Sequence, residues 1–83
     1  MKTKHALYYS KYCYFCQKVL MFLRGRDNEG EIELRSTSNA QFAKELVNGG
    51  GKTQVPCLRI ENADGNIEWM YESDDIIGYL KAV

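Results

Sequence analysis

Residues 10–16 read "SKYCYFC". Cys13 and Cys16 stand three apart, with Tyr14 and Phe15 between them. Such a pair serves as a thiol–disulfide couple, as half of a metal site, or as two buried small hydrophobes. Its neighbours narrow the choice. Upstream, "HALYY" (5–9) is short and rich in apolar and aromatic residues, which predicts a strand. Downstream, Cys16, Val19, Leu20 and Leu23 fall at i, i+3, i+4 and i+7, one face of a helix from about Tyr14 to Arg24. The pair therefore sits where a first strand hands over to a first helix.

The alternation continues along the chain. "GRDNEGE" (25–31) interrupts the helix, with Gly25 and Gly30 as punctuation. "IELRS" (32–36) alternates apolar and polar residues as a second strand does. Ser38 and Gln41 have capping-box spacing, and Phe42 and Leu46 repeat at i+4. A second helix is expected from Asn39 to about Asn48, stopped by Gly49, Gly50 and Gly51. "PCLRIE" (56–61) and "IEWMY" (67–71) read as third and fourth strands around "NADGN", with Asp64-Gly65 as the hairpin signal. Ser73 is placed to cap a last helix, with Asp74 and Asp75 in its first turn and Ile76, Ile77 and Leu80 facing inward. Gly78 weakens that helix by about 1 kcal/mol relative to alanine. The order β-α-β-α-β-β-α predicts an α/β fold: one domain over residues 1–83, a four-stranded mixed sheet flanked by helices, and a right-handed parallel crossover in its first half.

Composition sets bounds on function. The 83 residues give room for one domain, and 45% hydrophobic against 27% charged residues argues against disorder. Lysine plus arginine equals aspartate plus glutamate at 11 each, so no excess charge calls for nucleic acid or an anionic membrane as partner. No apolar run suits a signal peptide or approaches the roughly 18 residues of a membrane helix. The expected setting is the cytosol. Three cysteines are an odd number, unlike the even set of a disulfide-stapled secreted domain. In a reducing compartment a close pair points to catalysis or metal binding rather than to a structural disulfide. A structural zinc site needs four ligands, and the chain offers one close pair, Cys57 and a lone His5, so no metal is expected.

Position separates the roles of the two thiols. The thiolate is the nucleophile, and an ordinary cysteine is only a few per cent thiolate at neutral pH. A helix N-terminus offers unpaired N–H groups and a partial positive charge, both favouring the thiolate of Cys13, and Lys11 adds a full charge two residues away. Cys16 lies one turn further in on the apolar face, more buried and a poorer first nucleophile. The division that follows is attack by Cys13 and resolution by Cys16.

Three motifs on this frame resemble the glutaredoxins, small proteins of the thioredoxin-fold group. "CYFC" (13–16) matches the family's Cys-Pro-Tyr-Cys in its cysteines, "TQVP" (53–56) is similar to its Thr-Val-Pro, and "ESDD" (72–75) falls where it holds glutathione before the last helix. The resemblance implies a cis proline at Pro56 facing the cysteines. Tyr14 and Phe15 replace the motif's Pro-Tyr and put an apolar rim beside Cys13, and Gln54 stands where threonine is common. The stretch "VPCLRIENADGNIEWMYESDDIIGYL" (55–80) also resembles the N-terminal domain of glutathione transferases, which use a Glu-Ser pair on glutathione.

Both resemblances imply glutathione as co-substrate. Val55 would offer its backbone to the cysteinyl part, as an added strand does. Pro56 would turn the chain toward Cys13. Ser73 at the helix start suits the γ-glutamyl carboxylate, Asp74 its ammonium, and Glu72 assists. Lys11, Lys52 and the amide of Gln54 are candidates for the glycyl carboxylate. Without a ligand, Ser73 and Asp74 would serve as cap and first-turn charge, and Lys52 as a solvated loop residue. "GGGKT" (49–53) imitates a phosphate loop but lacks its first glycine, which would fall at Leu46. Cys57 reads as a buried structural thiol, with a regulatory or glutathionylated thiol as its alternative. His5 reads as structural or solvent-facing, and Tyr8, Tyr9, Trp69 and Tyr71 as core or sheet-face residues.

The implied activity is glutathione-dependent thiol–disulfide exchange through Cys13 and Cys16. Its partners would be glutathione and disulfide-bonded or glutathionylated proteins, and the chain would act as a monomer without nucleic acid or membrane. Two alternatives stand: an iron–sulfur carrier using Cys13 and glutathione, and a thioredoxin-like reductant served by a flavoenzyme.

Overall fold

A computed structural model describes residues 3–25 and 32–82. Seven elements follow one another: β1 (Lys4–Tyr9), α1 (Tyr14–Arg24), β2 (Ile32–Ser36), α2 (Ala40–Gly50), β3 (Cys57–Glu61), β4 (Ile67–Tyr71) and α3 (Ser73–Ala82). The strands form a single sheet in the order β2-β1-β3-β4. β1 pairs parallel with β2, and the β1–β3 and β3–β4 pairs are antiparallel. This is the β-α-β-α-β-β-α arrangement expected from the sequence. Of the expected turn at 25–31 only Gly25 is described, its N–H bonded to the Phe22 carbonyl; residues 26–31 lie outside the described residues.

Strand alternation sorts the core into two layers. Leu7, Leu58 and Ile60 face α1 and α3, where they pack with Val19, Leu20, Leu23, Ile32, Ile76 and Leu80. Ala6, Tyr8 and Cys57 point to the opposite face and pack with Leu46 of α2, under Phe42, Val55, Trp69 and Tyr71. β1 is thus covered on both faces and hydrogen-bonded along both edges. It is the rigid element whose end carries the cysteine loop. The parallel register sets Tyr8 opposite Arg35. Arg35 Nη1 donates to the Tyr8 hydroxyl at 2.7 Å, which donates to Glu45 Oε1 at 2.9 Å. The network ties β1, β2 and α2 and satisfies the one polar atom of a fully buried tyrosine.

Both ends of α2 depart from the sequence reading. The N-cap of α2 is Asn39, not Ser38: the Asn39 side chain accepts the Gln41 N–H at 2.9 Å, while the Ser36 hydroxyl accepts the Ser38 N–H at 3.3 Å. The glycine run also does not stop the helix at its first member. Gly49 and Gly50 complete α2, and Gly51 ends it in the left-handed conformation at φ 85°. Packing explains this. A Cβ at Gly49 would come within 2.2 Å of the Trp69 ring and one at Gly50 within 2.2 Å of the Tyr71 hydroxyl, which donates to the Gly50 carbonyl at 2.8 Å. These glycines let the helix lie close on β4. Gly65 turns the β3–β4 hairpin at φ 93°.

The glycines separate two effects of one substitution. Gly49→Ala should destabilise by about 1–3 kcal/mol, because overpacking against Trp69 outweighs the gain in helix propensity. Gly78→Ala, which meets nothing within 4 Å, should stabilise by up to about 1 kcal/mol. Urea denaturation midpoints check the pair, and equal shifts of one sign would contradict it.

Candidate functional site

The cysteine pair lies at the end of β1, as its spacing suggested. Cys13 is the N-cap of α1, with extended backbone at φ −96° and ψ 122°, and its sulfur accepts the Cys16 N–H at 3.2 Å. The sulfur occupies the place of the oxygen in an ordinary cap. A backbone donor at a helix N-terminus therefore points at the atom that carries charge when the thiol ionises. The loop is held in turn: the Cys13 N–H donates to the Ser10 carbonyl at 3.2 Å, and Gln17 Nε2 to the Lys11 carbonyl at 3.0 Å. Cys13 is half-buried. Its thiol lies 3.9 Å from the Val55 carbonyl, a weak contact that joins the cysteine loop to the segment before β3.

Cys16 differs sharply. It is fully buried, its sulfur accepts the Ser10 N–H at 3.4 Å, and burial together with the neighbouring Cys13 pushes its pKa up to about 12. Cys57 is also fully buried, and burial pushes it up to about 11. Its side chain belongs to the α2 layer, packed with Ala6, Tyr8 and Leu46 beside Tyr71. All three thiols are free.

Beside Cys13, a cavity of about 340 Å³ is lined by Phe15, Gln54, Val55, Pro56, Glu72, Ser73 and Asp74. Six of these are the residues that the sequence resemblance marked for glutathione. The Val55–Pro56 peptide is cis. Gln54 Nε2 donates to Glu72 Oε1 at 3.3 Å, bridging two walls. Glu72 holds φ 72°, unusual for a residue with a side chain and costing of order 1 kcal/mol or more. That turn lets α3 begin at Ser73 with its N-terminus open to the cavity. Ser73 is therefore the first residue of the helix and not the residue before it. It is buried, whereas Asp74 is exposed and receives a hydrogen bond from Lys18 Nζ on α1.

Lys11 and Lys52 do not join this lining. The Lys11 ammonium lies 5.4 Å from the Tyr12 ring centre and that of Lys52 4.5 Å from the Tyr71 ring centre. Lys18 went unremarked in the sequence, where nothing marks it apart from other exposed helix lysines. Around Cys13 the surface is aromatic: Tyr12, Tyr14 and Phe15 are 87%, 76% and 56% exposed, and the last two meet edge-on at 5.4 Å. His5 shares a hydrogen bond with the Tyr79 hydroxyl at 2.8 Å, a structural position. No cluster of three or more His, Cys, Asp or Glu able to hold a metal is found among the described residues. A larger cavity of about 740 Å³ opens over the α2 face, lined by Tyr8, Arg35, Glu45 and Trp69 among others. It holds no cysteine, and its charged groups pair among themselves.

Comparison with known proteins follows the same lines. The family described as "Glutathione S-transferase, N-terminal domain" matches residues 12–83. The chain belongs to that family. Of the two resemblances in the sequence, it is the transferase domain that the match names. No curated protein matches the chain. Among solved structures, a disulphide isomerase from Xylella fastidiosa has a TM-score of 0.64 at 18% identity, over 96% of this chain and 68% of its own. The thioredoxin Deadhead of Drosophila melanogaster gives 0.64 at 10% identity, over 99% and 81%. The C-terminal domain of DsbD from Neisseria meningitidis gives 0.63 at 15%, over 98% and 79%. These likenesses establish the thioredoxin-like fold.

The raised values for Cys16 and Cys57 fix the sign of a pH experiment. A raised thiol stays neutral at pH values where an ordinary one ionises, and alkylation follows thiolate fraction and access. Iodoacetamide at pH 8 should label Cys13 alone in the folded protein and all three cysteines after denaturation. Peptide mapping reads the result, and labelling of Cys16 at a comparable rate would contradict the burial argument.

Proposed function

We propose that the protein is a glutathione-dependent thiol–disulfide oxidoreductase acting on glutathione mixed disulfides and protein disulfides. The observation that carries this reading is the junction of two features: the Cys13 sulfur, facing a backbone N–H, and the cavity that gathers Gln54, Val55, Pro56, Glu72, Ser73 and Asp74 next to it. Membership in a glutathione transferase domain family supports the choice of thiol.

The chemistry is in-line exchange at sulfur. The Cys13 thiolate attacks the glutathione sulfur of a protein–glutathione disulfide. The old S–S bond breaks, the protein thiolate leaves and takes a proton from solvent, and Cys13 carries glutathione. A second glutathione thiolate then attacks the glutathione sulfur of that adduct, releasing glutathione disulfide and restoring the Cys13 thiolate. The net exchange turns one mixed disulfide and one glutathione into one protein thiol and one glutathione disulfide: the glutathione from solution is oxidised, the protein sulfur is reduced, and the substrate's glutathionyl sulfur stays at the disulfide level. With a protein disulfide, Cys16 closes the second step by losing its proton and attacking Cys13, which expels the substrate's thiolate. Burial keeps Cys16 protonated until that moment, so it is a resolving thiol and not a competing nucleophile.

Binding follows from the cavity walls. Val55 offers backbone groups to the cysteinyl segment, and the start of α3 with Ser73 accepts the γ-glutamyl carboxylate. Gln54 serves the glycyl end; Lys11 and Lys52 would need to swing from their aromatic neighbours to reach it. The exposed Tyr12, Tyr14 and Phe15 give apolar contact to the polypeptide around the scissile disulfide. A supply of reduced glutathione places the reaction in a reducing compartment such as the cytosol, and one chain carries the whole site.

Turnover of a small glutathione mixed disulfide tests the reading. Cys13→Ser should reduce activity to background, and Cys16→Ser should retain it, because the glutathione route does not use the second thiol. Wild-type protein inactive with glutathione yet active with a flavoenzyme reductase would refute the proposal.

A further inference from the structure

The free protein already carries an ion pair at the mouth of the cavity. Lys18 Nζ donates to Asp74 Oδ1, joining the second turn of α1 to the first turn of α3. Both partners face solvent, with side chains 43% and 82% exposed, so the pair is weak and opens readily. Asp74 lines the cavity next to buried Ser73 and the open N-terminus of α3.

We infer that Lys18 is a specificity residue, and that the Lys18–Asp74 pair recognises the zwitterionic head of the γ-glutamyl group. This rests on the glutathione reading above. The γ-glutamyl α-carbon carries an ammonium and a carboxylate side by side. A protein zwitterion and a ligand zwitterion exchange partners without stranding a charge: Asp74 turns from Lys18 to the ligand ammonium, and Lys18 turns to the ligand carboxylate. That carboxylate is then shared between Lys18 and the N–H groups of α3. An isolated aspartate would attract any amine, and an isolated helix N-terminus any anion. The pair selects a ligand that presents both charges on one carbon, an α-amino-acid head, and discriminates against thiols that carry one of them.

Head-group variants of one substrate test this. Mixed disulfides of 2-mercaptoethanol are prepared with glutathione, with N-acetylglutathione and with the γ-glutamyl α-carboxamide analogue. Turnover is measured for wild type, Lys18→Met, Lys18→Arg and Asp74→Asn. Lys18→Met should raise KM several-fold for the glutathione substrate, leave kcat nearly unchanged, and lose nothing further on the carboxamide. Lys18→Arg should restore most of the affinity. Asp74→Asn should show the complementary pattern, with its loss absent on the N-acetyl substrate. A merely structural pair would change thermal stability without this dependence on head group. An unchanged or lowered KM in Lys18→Met, or an equal loss on the carboxamide, would overturn the inference while the glutathione reading stands. Wild-type turnover no faster than Cys13→Ser on the glutathione substrate would overturn both.

Discussion

The hydrogen bond from the Cys16 N–H to the Cys13 sulfur is the contact on which the site turns. It exists because β1 ends and α1 begins within a few residues, so a cysteine stands where a serine or aspartate would normally cap the helix. Two thiols of one sequence motif thereby receive opposite environments. Cys13 faces a backbone donor and lies against Val55, one wall of the cavity; Cys16, one turn on, is sealed in the core and held neutral by burial. The asymmetry needs no metal and no distant charge. It follows from the first turn of a helix whose inner face is apolar.

For that turn to matter, its frame must be stiff. β1 supplies this, being paired on both edges and covered on both faces by separate packed layers. The far wall of the cavity comes from two other segments: the cis Val55–Pro56 peptide leading into β3, and Glu72 at positive φ leading into α3. Three junctions between regular elements therefore meet at one end of the sheet. Side chains at such junctions are placed by their scaffold, while their backbone groups stay free for a ligand.

Much of this was legible from local pattern. The i, i+3, i+4, i+7 series from Cys16 to Leu23 marked the buried face of α1, and Phe42 with Leu46 marked that of α2, because one-face burial writes its period into the sequence. The residues marked at 54–56 and 72–74 line one cavity, joined by Phe15, which the motifs did not mark for glutathione. Tertiary context decided what remained. Nothing local reveals that Gly49 and Gly50 stay helical so that Trp69 and Tyr71 fit against them, and chain order alone favoured reading them as a stop. Ser38 and Asn39 are both competent caps, and the Ser36 hydroxyl engages the first. Lys18 meets Asp74 across 56 residues of sequence, and Lys11 is drawn to a neighbouring ring instead of the cavity. Charges on flexible stems are the least readable features, since their partners come from the fold.

The central claim is that one ligand spans from the Cys13 sulfur to the start of α3. A crystal structure of Cys16→Ser trapped as its mixed disulfide with glutathione tests it most directly. The account predicts glutathione bonded to Cys13, its cysteinyl backbone along Val55 and its γ-glutamyl end at Ser73 and Asp74. Glutathione bonded to Cys13 but directed away from Val55 and α3, or attached only at Cys57, would contradict it.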